Sequence, residues 1–113
     1  IINAKAIKKS VIGNQSRIGE GTVIENSYIM GNDFYQSLTD MKEDIENENQ
    51  LIGIGERCYI NHALVDKNCR IGNDVYINGG KHLTNCSEEL YCIKDGIVVI
   101  KKGKTLPDNF RIE

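Results

Sequence analysis

A six-residue repeat of aliphatic side chains is the feature that most limits how this chain can fold. Ile12, Ile18 and Ile24 lie six residues apart, and a small or hydroxylated residue stands two positions before each of them. A period of six matches neither an α-helix nor the alternation of an ordinary hairpin strand. The same spacing returns in the second half of the chain, at Ile54 and Ile60 and, after one five-residue step, at Val65, Ile71 and Ile77.

Such a repeat is typical of a triangular coil in which each six-residue unit contributes one short strand and one turn. The aliphatic residue points inward and stacks on its equivalents in neighbouring coils. Glycine, asparagine or aspartate at the corners accepts the backbone angles of the turns. Successive coils pair as parallel strands, which suits β-branched residues. We therefore predict an all-β fold, a parallel β-helix of hexapeptide repeats forming one domain over residues 1–113.

A comparison of the chain with itself supports the repeat. A shift of 36 residues, which we interpret as two coils of about 18 residues each, aligns residues 18–20 with residues 54–56, both Ile-Gly-Glu. It also aligns Asn32 with Asn68. Both blocks contain the same irregular five-residue step, from Ile24 to Ile29 and from Ile60 to Val65. A shared irregularity is harder to obtain by chance than a shared repeat.

Two segments interrupt the repeat and are predicted to be loops extruded from the corners. The first excursion, residues 33–50, contains an acidic stretch that we interpret as solvated surface with a helical turn. The second excursion, residues 79–90, precedes a predicted strand at residues 97–100. Pro107 then marks a closing turn, after which the last residues pair with the stack or cap it.

Charge and hydropathy exclude two classes of partner. The formal net charge is -2, whereas nucleic-acid-binding domains are usually clearly basic. No apolar run reaches the roughly 20 residues that cross a bilayer, so we expect neither nucleic acid nor membrane as a partner. Because the sequence opens with Ile1 and not with methionine, we interpret it as a fragment of a longer chain.

The four cysteines, Cys58, Cys69, Cys86 and Cys92, show no CxxC spacing, and no pair of histidines accompanies them at ligand spacing. No metal site is therefore expected in this chain. The pattern favours free, mostly buried thiols in a reducing compartment. A regulatory disulfide through Cys86 or Cys92 is the alternative.

Several segments together resemble the C-terminal region of glucose-1-phosphate adenylyltransferase (ADP-glucose pyrophosphorylase) of the plant and cyanobacterial type. The resemblance covers nearly all 113 residues, and it implies that the β-helix is left-handed. The segments that carry it, in this order, are Ser-Val-Ile-Gly at 10–13, Ile-Met-Gly-Asn-Asp-Phe-Tyr at 29–35, Ile-Gly-Ile-Gly at 52–55, Val-Asp-Lys-Asn-Cys-Arg-Ile-Gly at 65–72 and Gly-Ile-Val-Val-Ile at 96–100.

The resemblance implies a parent enzyme that forms ADP-glucose and pyrophosphate from ATP and glucose 1-phosphate for starch or glycogen synthesis. Its N-terminal nucleotidyltransferase domain, with its Mg²⁺, would lie outside this chain. We therefore name no catalytic residue or cofactor here and expect this fragment alone to be inactive. The implied partners are that catalytic domain and the other subunits of a tetramer. The implied location is the bacterial cytoplasm or the plastid stroma.

Family members of this type are activated by 3-phosphoglycerate and inhibited by phosphate through lysines in this domain. Matched by motif, one such lysine is Lys67, within residues 66–68, and the other is Lys102, between Gly96 and Pro107. The resemblance therefore implies a site for a small phosphorylated effector at Lys67 and Lys102. The secondary candidates are Arg70, Lys101 and Lys104. The alternative is that all five are ordinary exposed cations on the edges of coils.

The chain departs from the family pattern at two places near these residues. Gln15 stands where related chains often carry an arginine, and the pair Lys101 and Lys102 replaces a single lysine. In the family, arginines of the catalytic domain complete the anion site.

Three other readings fit the repeat. A hexapeptide acyltransferase would use a histidine as its base, and His62 is the candidate, because His82 lies in the second excursion. A γ-type carbonic anhydrase needs three histidines for zinc, and the chain has two. The third is another sugar-1-phosphate nucleotidyltransferase in which the β-helix serves assembly alone.

Overall fold

The structure is a computed structural model that describes residues 1–33, 37–47 and 51–113. Phe34, Tyr35 and Gln50, which belong to the segments discussed above, lie outside the described residues. The strands are two to four residues long and lie on three faces of a triangular column. In chain order they are β1 (Ala6–Lys8), β2 (Val11–Ile12), β3 (Val23–Glu25), β4 (Tyr28–Ile29), β5 (Gly53–Ile54), β6 (Tyr59–Asn61), β7 (Ala63–Val65), β8 (Arg70–Ile71), β9 (Tyr76–Asn78), β10 (Cys86–Ser87), β11 (Tyr91–Lys94), β12 (Ile97–Ile100), β13 (Thr105–Leu106) and β14 (Arg111–Ile112).

Each face is a sheet built from one strand per coil. The first face has the order β1-β3-β6-β9-β14, and the third face has the order β5-β8-β13. On the second face the parallel strands β2, β4, β7 and β12 are followed by β11 and β10, which are antiparallel. Single-residue parallel pairings of Ile2 with Ile18 and of Ile18 with Ile54 extend the third face.

The core is the inside of the column, where the aliphatic residue of each repeat stacks on the equivalent residue of the next coil. On the first face, Ile24 pairs with Ile60 and Ile60 with Ile77, and all three are 0% exposed. The predicted inward orientation is confirmed at Ile18, Ile24, Ile54, Ile60, Val65, Ile71 and Ile77, which are all buried. Ile12 is half-buried and packs against the same core.

The interpretation of the 36-residue shift as two coils was wrong. Ile18 pairs directly with Ile54, so the shift corresponds to one coil plus the first excursion. An uninterrupted coil takes 17 residues, as from Ile54 to its partner Ile71. The alignment itself is confirmed, because Ile29 pairs with Val65 after the irregular step. The excursion is about as long as one coil, so the 36-residue shift has the length expected of two coils.

The glycines that follow the repeated isoleucines do not occupy left-handed turns. Gly19, Gly55 and Gly72 have no positive φ. They are required instead because neighbouring coils approach closely: a Cβ on Gly55 would lie 2.5 Å from the carbonyl oxygen of Gly72. The left-handed corners are held largely by polar residues, including Gln15, Asn26, Arg57, His62, Asn68, Asp74 and Asn109.

The first excursion contains helix α1 (Leu38–Glu46), longer than the single turn predicted. The hydroxyl of Ser37 accepts a hydrogen bond from the backbone N–H of Asp40 at 3.1 Å and caps the helix. Arg70 of β8 holds α1 against the third face, because its guanidinium lies 2.7 Å from the carboxylate of Asp44. Among the residues described, no helix has the length and apolar character to cross a membrane.

The second excursion is more ordered than predicted, because β10 and β11 extend the second face as an antiparallel ribbon onto β12. Asp95 and Gly96 form the turn between β11 and β12, both with positive φ. An Asp-Gly pair between two apolar runs is a strong hairpin signal in sequence. The hairpin does not follow the six-residue period, so the repeat did not predict it. β14 pairs with β9, which confirms that the last residues pair with the stack.

All four cysteines are free thiols. Cys58 and Cys69 are buried, and their thiols donate to the carbonyl oxygens of Gly72 and Lys101, each at 3.2 Å. In the ribbon, Cys86 pairs with Ile93 and Cys92 with Ser87, which directs the two cysteines to opposite faces of the sheet. This geometry opposes a disulfide between them.

We expect thiol reagents to separate the buried from the half-buried cysteines. Burial raises the pKa of Cys69 to about 11, from an ordinary value of 9.0, and also raises the pKa of Cys58. Because the thiolate is the reactive form, its fraction at Cys69 at pH 8 is about a hundredfold below that of an ordinary thiol. Mass spectrometry after brief alkylation at pH 8 should show modified Cys86 and Cys92. Labelling of Cys69 should appear only as the pH approaches 11, and equal rates at pH 8 would contradict the assigned burial.

Candidate anion-binding site

The five cations selected from the sequence lie at one corner of the column, where the second face passes to the third. Residues 66–69 connect β7 to β8 on one coil, with Arg70 as the first residue of β8, and residues 101–104 connect β12 to β13 on the next. We call these two turns the cationic corner. Its five cations are Lys67, Arg70, Lys101, Lys102 and Lys104.

Lys67 and Lys102 occupy equivalent positions on adjacent coils. Val65 pairs with Ile100 before the turn, and Arg70 pairs with Thr105 after it, so both sides have an offset of 35 residues. Between them, the backbone N–H of Gly103 donates to the carbonyl of Lys67 at 2.9 Å. Parallel strands lie about 4.8 Å apart. The side chains of Lys67 and Lys102 therefore project from neighbouring turns, close enough for both ammonium groups to contact one phosphate.

The local sequence explains why Lys67 projects from this corner. Asp66 accepts a hydrogen bond from the backbone N–H of Lys67 at 2.7 Å, and Asn68 follows with a φ of 62°. Short polar side chains of this kind stabilise tight turns and tolerate left-handed backbone angles. On the next coil Gly103 has the equivalent role, with a φ of 71°. The turn therefore fixes the backbone beneath each lysine.

Asp33 is a member of this corner that the sequence analysis assigned only to a loop. Its carboxylate lies 3.4 Å from the ammonium of Lys67 and accepts a hydrogen bond from the side chain of Asn68 at 2.9 Å. Its backbone N–H donates to the Asn68 side-chain oxygen, also at 2.9 Å. The hydrogen bond from Asn68, followed by Lys67 and Lys102, holds the pKa of Asp33 below its ordinary value. In the sequence, the alignment of Asn32 with Asn68 was a signal that could have placed Asp33 near this corner.

The three secondary candidates have other roles in the structure. Arg70 forms the ion pair with Asp44 of α1, and the ammonium of Lys101 donates to the backbone carbonyl of Glu88 in the second excursion. The carbonyl of Lys104 accepts from the backbone N–H of Arg70 at 2.9 Å, and its side chain is half-buried. Within the described part of the chain, neither Lys102 nor Lys104 forms an ion pair. Arg70 and Lys101 are thus engaged with other groups, whereas the choice of Lys67 and Lys102 over Lys104 stays a prediction.

Gln15, which stands where related chains often carry arginine, lies on the same edge of the column. Its carbonyl accepts a hydrogen bond from the side chain of Asn32 at 2.8 Å, and it has the left-handed backbone also found at Asn68. An arginine at this position would add a cation to the edge two coils from Lys67. Glutamine adds no charge there.

The two histidines are both exposed and lie in different segments of the chain. His62 is exposed at the corner between the first and second faces, and His82 is exposed in the second excursion. In the described ranges no three His, Cys, Asp or Glu side chains are grouped as metal ligands. The geometry therefore adds no support to an acyltransferase or a zinc enzyme.

Comparison with known proteins agrees with this fold. A family model described as the GLGC left-handed parallel beta-helix domain matches residues 1–110. The chain belongs to this family. A similar protein is the glucose-1-phosphate adenylyltransferase small subunit, chloroplastic/amyloplastic, of Triticum aestivum, which is 38% identical over 109 residues. The match covers 95% of this chain and 23% of that relative, so this GLGC β-helix domain spans about a quarter of the relative's length.

The family match confirms three predictions for the GLGC β-helix domain. The fold is all-β, the helix is left-handed and parallel, and the resemblance to glucose-1-phosphate adenylyltransferase holds over nearly the whole chain. The roles of Lys67, Lys102 and the secondary candidates stay predictions.

Proposed function

We propose that this chain is the regulatory and assembly domain of an enzyme that forms ADP-glucose and pyrophosphate from ATP and glucose 1-phosphate. Membership of the GLGC β-helix family and the similarity to an adenylyltransferase small subunit support this proposal. The observation that carries the regulatory part is the equivalence of Lys67 and Lys102 on adjacent coils. Two ammonium groups placed in this way form a binding site for a phosphorylated effector.

The chemistry of the two lysines suits a 3-phosphoglycerate-like effector or phosphate. Each ammonium offers three donors and one positive charge, and charge-assisted hydrogen bonds to phosphate oxygens are stronger than neutral ones. The Lys67 side chain is 44% exposed and Lys102 is exposed, so solvent screens both charges. We therefore expect moderate affinity from this chain's residues, with arginines of the catalytic domain completing the site.

Catalysis belongs, in this proposal, to a nucleotidyltransferase domain outside this chain. We assign no catalytic residue or cofactor to residues 1–113, and the fragment alone would be inactive. The Mg²⁺ used in nucleotidyl transfer would bind in that other domain. The enzyme would work in a plastid stroma, as the wheat relative's name indicates for that protein, or in a bacterial cytoplasm.

An apolar strip on the second face supports a role in assembly. Val11 pairs with Tyr28, and Tyr28 pairs with Leu64, so their outward side chains form one row. Val11 and Tyr28 are 55% and 47% exposed, and Ile97 beside them is 43% exposed. Exposed apolar strips and open strand edges at the ends of the stack are usually covered by partners. The proposed partners are the catalytic domain and the other subunits of a tetramer.

Replacing Lys67 or Lys102 with alanine in the full-length protein is expected to impair activation and leave basal activity intact. Each substitution removes a charged donor worth about 1.5 kcal/mol, which corresponds to roughly a tenfold higher 3-phosphoglycerate concentration for half-activation. The measurement is pyrophosphate release from ATP and glucose 1-phosphate, with 3-phosphoglycerate and phosphate varied. Lys94→Ala is the matched control, because Lys94 is exposed at the end of β11, where it pairs with Ile97 at the start of β12 and not with the cationic corner.

Two results would redirect the proposal. If both lysine variants respond to effectors as the wild type does, the domain serves assembly and the regulatory part is wrong. If the wild-type protein forms no ADP-glucose, the proposed reaction is wrong as well.

A further inference from the structure

We propose that Asp33 is an internal competitor for the anion that binds at Lys67 and Lys102, and thereby sets the affinity of the site. The inference rests on the proposed effector function of these two lysines. It assigns a regulatory role to a residue of the first excursion, which the sequence analysis treated as solvated loop.

The position of Asp33 is fixed by three contacts with a single turn of the cationic corner. Its backbone N–H and its carboxylate form a reciprocal pair of hydrogen bonds with the side chain of Asn68, each 2.9 Å long. The other carboxylate oxygen lies 3.4 Å from the ammonium of Lys67. The hydrogen bond from Asn68, followed by Lys67 and then Lys102, keeps the pKa of Asp33 below its ordinary value. A negative charge thus already stands beside Lys67 and within electrostatic reach of Lys102.

An incoming phosphate and the Asp33 carboxylate compete for the same cations. Phosphate must either displace Asp33 from Lys67 or bind beside it against like-charge repulsion. Either route lowers the apparent affinity compared with a corner that lacks the carboxylate. The contact is exposed, so the effect is screened and modest.

The competition also connects the site to the first excursion. Asp33 begins this segment, and Asp44 of α1 pairs with Arg70, which lies three residues after Lys67. The excursion is therefore attached to one turn of the column by two carboxylates. Since linkage is reciprocal, an anion that displaces Asp33 weakens an attachment of the segment that carries α1.

The test is the affinity of the full-length protein for inorganic phosphate, measured by titration calorimetry. Asp33→Asn removes the charge but keeps an oxygen that can accept the hydrogen bond from Asn68. We expect phosphate to bind about fivefold more tightly, the size expected for removing one unit charge about 4 Å away in a solvent-like dielectric. Asp95→Asn is the control, because Asp95 lies in the hairpin turn at the far end of β12 and should leave the affinity unchanged.

A Lys67→Ala variant separates this inference from the proposed function. If Lys67→Ala weakens phosphate binding but Asp33→Asn binds no more tightly than the wild type, the competition is refuted and the effector site stands. If Lys67→Ala leaves phosphate binding unchanged, or no variant binds phosphate, the effector site and the competition both fail. Thermal melts of Asp33→Asn should match the wild type, because the side chain is exposed.

Discussion

Ile71→Asp is expected to unfold the β-helix. Ile71 is 1% exposed and stacks between Ile54 and Leu106 at the middle of the third face. Aspartate would remove the buried aliphatic contacts and place a carboxylate without a partner inside the column. Burying an unpaired charge costs far more than losing methylene groups, so we expect a loss above about 4 kcal/mol. Such a loss is comparable with the whole stability of a small domain, about 5–15 kcal/mol.

Circular dichroism during thermal unfolding measures the effect, and Ile97→Asp provides the matched control. Ile97 is also a strand residue but is 43% exposed and points outward on β12. We expect this variant to lose no more than about 1 kcal/mol. The inward assignment of Ile71 would be wrong if both variants melted at the wild-type temperature.

Gly55→Ala is expected to have the next largest effect, because the methyl group has no space. A Cβ on Gly55 would lie 2.5 Å from the carbonyl oxygen of Gly72 and 2.5 Å from the side-chain oxygen of Asn73. The backbone of the next coil would have to move, and this movement would disturb the hydrogen bond from Gly55 to Ile71, which is 2.9 Å long. We expect a loss of about 3 kcal/mol, measured by denaturant unfolding.

Gly103→Ala separates crowding from backbone strain. Gly103 has a φ of 71°, yet nothing lies within 4 Å of its hypothetical Cβ. Alanine there should cost about 1 kcal/mol for the left-handed backbone. If Gly103→Ala were as destabilising as Gly55→Ala, close packing of coils would not be the reason for glycine after the repeated isoleucines.

The period of the sequence was enough to predict the fold, because the same physical requirement recurs in every coil. Each turn of the column needs an aliphatic side chain at the interior of each face, so Ile18, Ile54 and Ile71 could be assigned from spacing. The phase of the six-residue repeat depends only on nearby residues. An excursion that returns the chain to the same face therefore leaves this phase unchanged. The number of coils between two residues is not local, and the 36-residue shift was therefore misread.

The candidate site was only partly accessible from the sequence. The lysines at 67 and 102 are 35 residues apart, and the second excursion lies between them; pairing of β7 with β12 makes them neighbours. The same applies to Asp33, whose partner Asn68 lies 35 residues further along the chain. Side-chain contacts between coils depend on where each excursion leaves and rejoins the column. Spacing along the chain does not encode this.

Sequence alone therefore determined the β-helix, the inward residues and the two segments that leave it, because burial of apolar side chains at a fixed period admits few other folds. Only the tertiary structure showed that glycine after isoleucine serves close packing of coils, as at Gly55. It alone showed that Arg70 forms an ion pair with Asp44 and Lys67 with Asp33. The first ion pair joins the first excursion to β8 and the second joins neighbouring turns, so both depend on how the excursion packs on the column once the parallel strands pair in register.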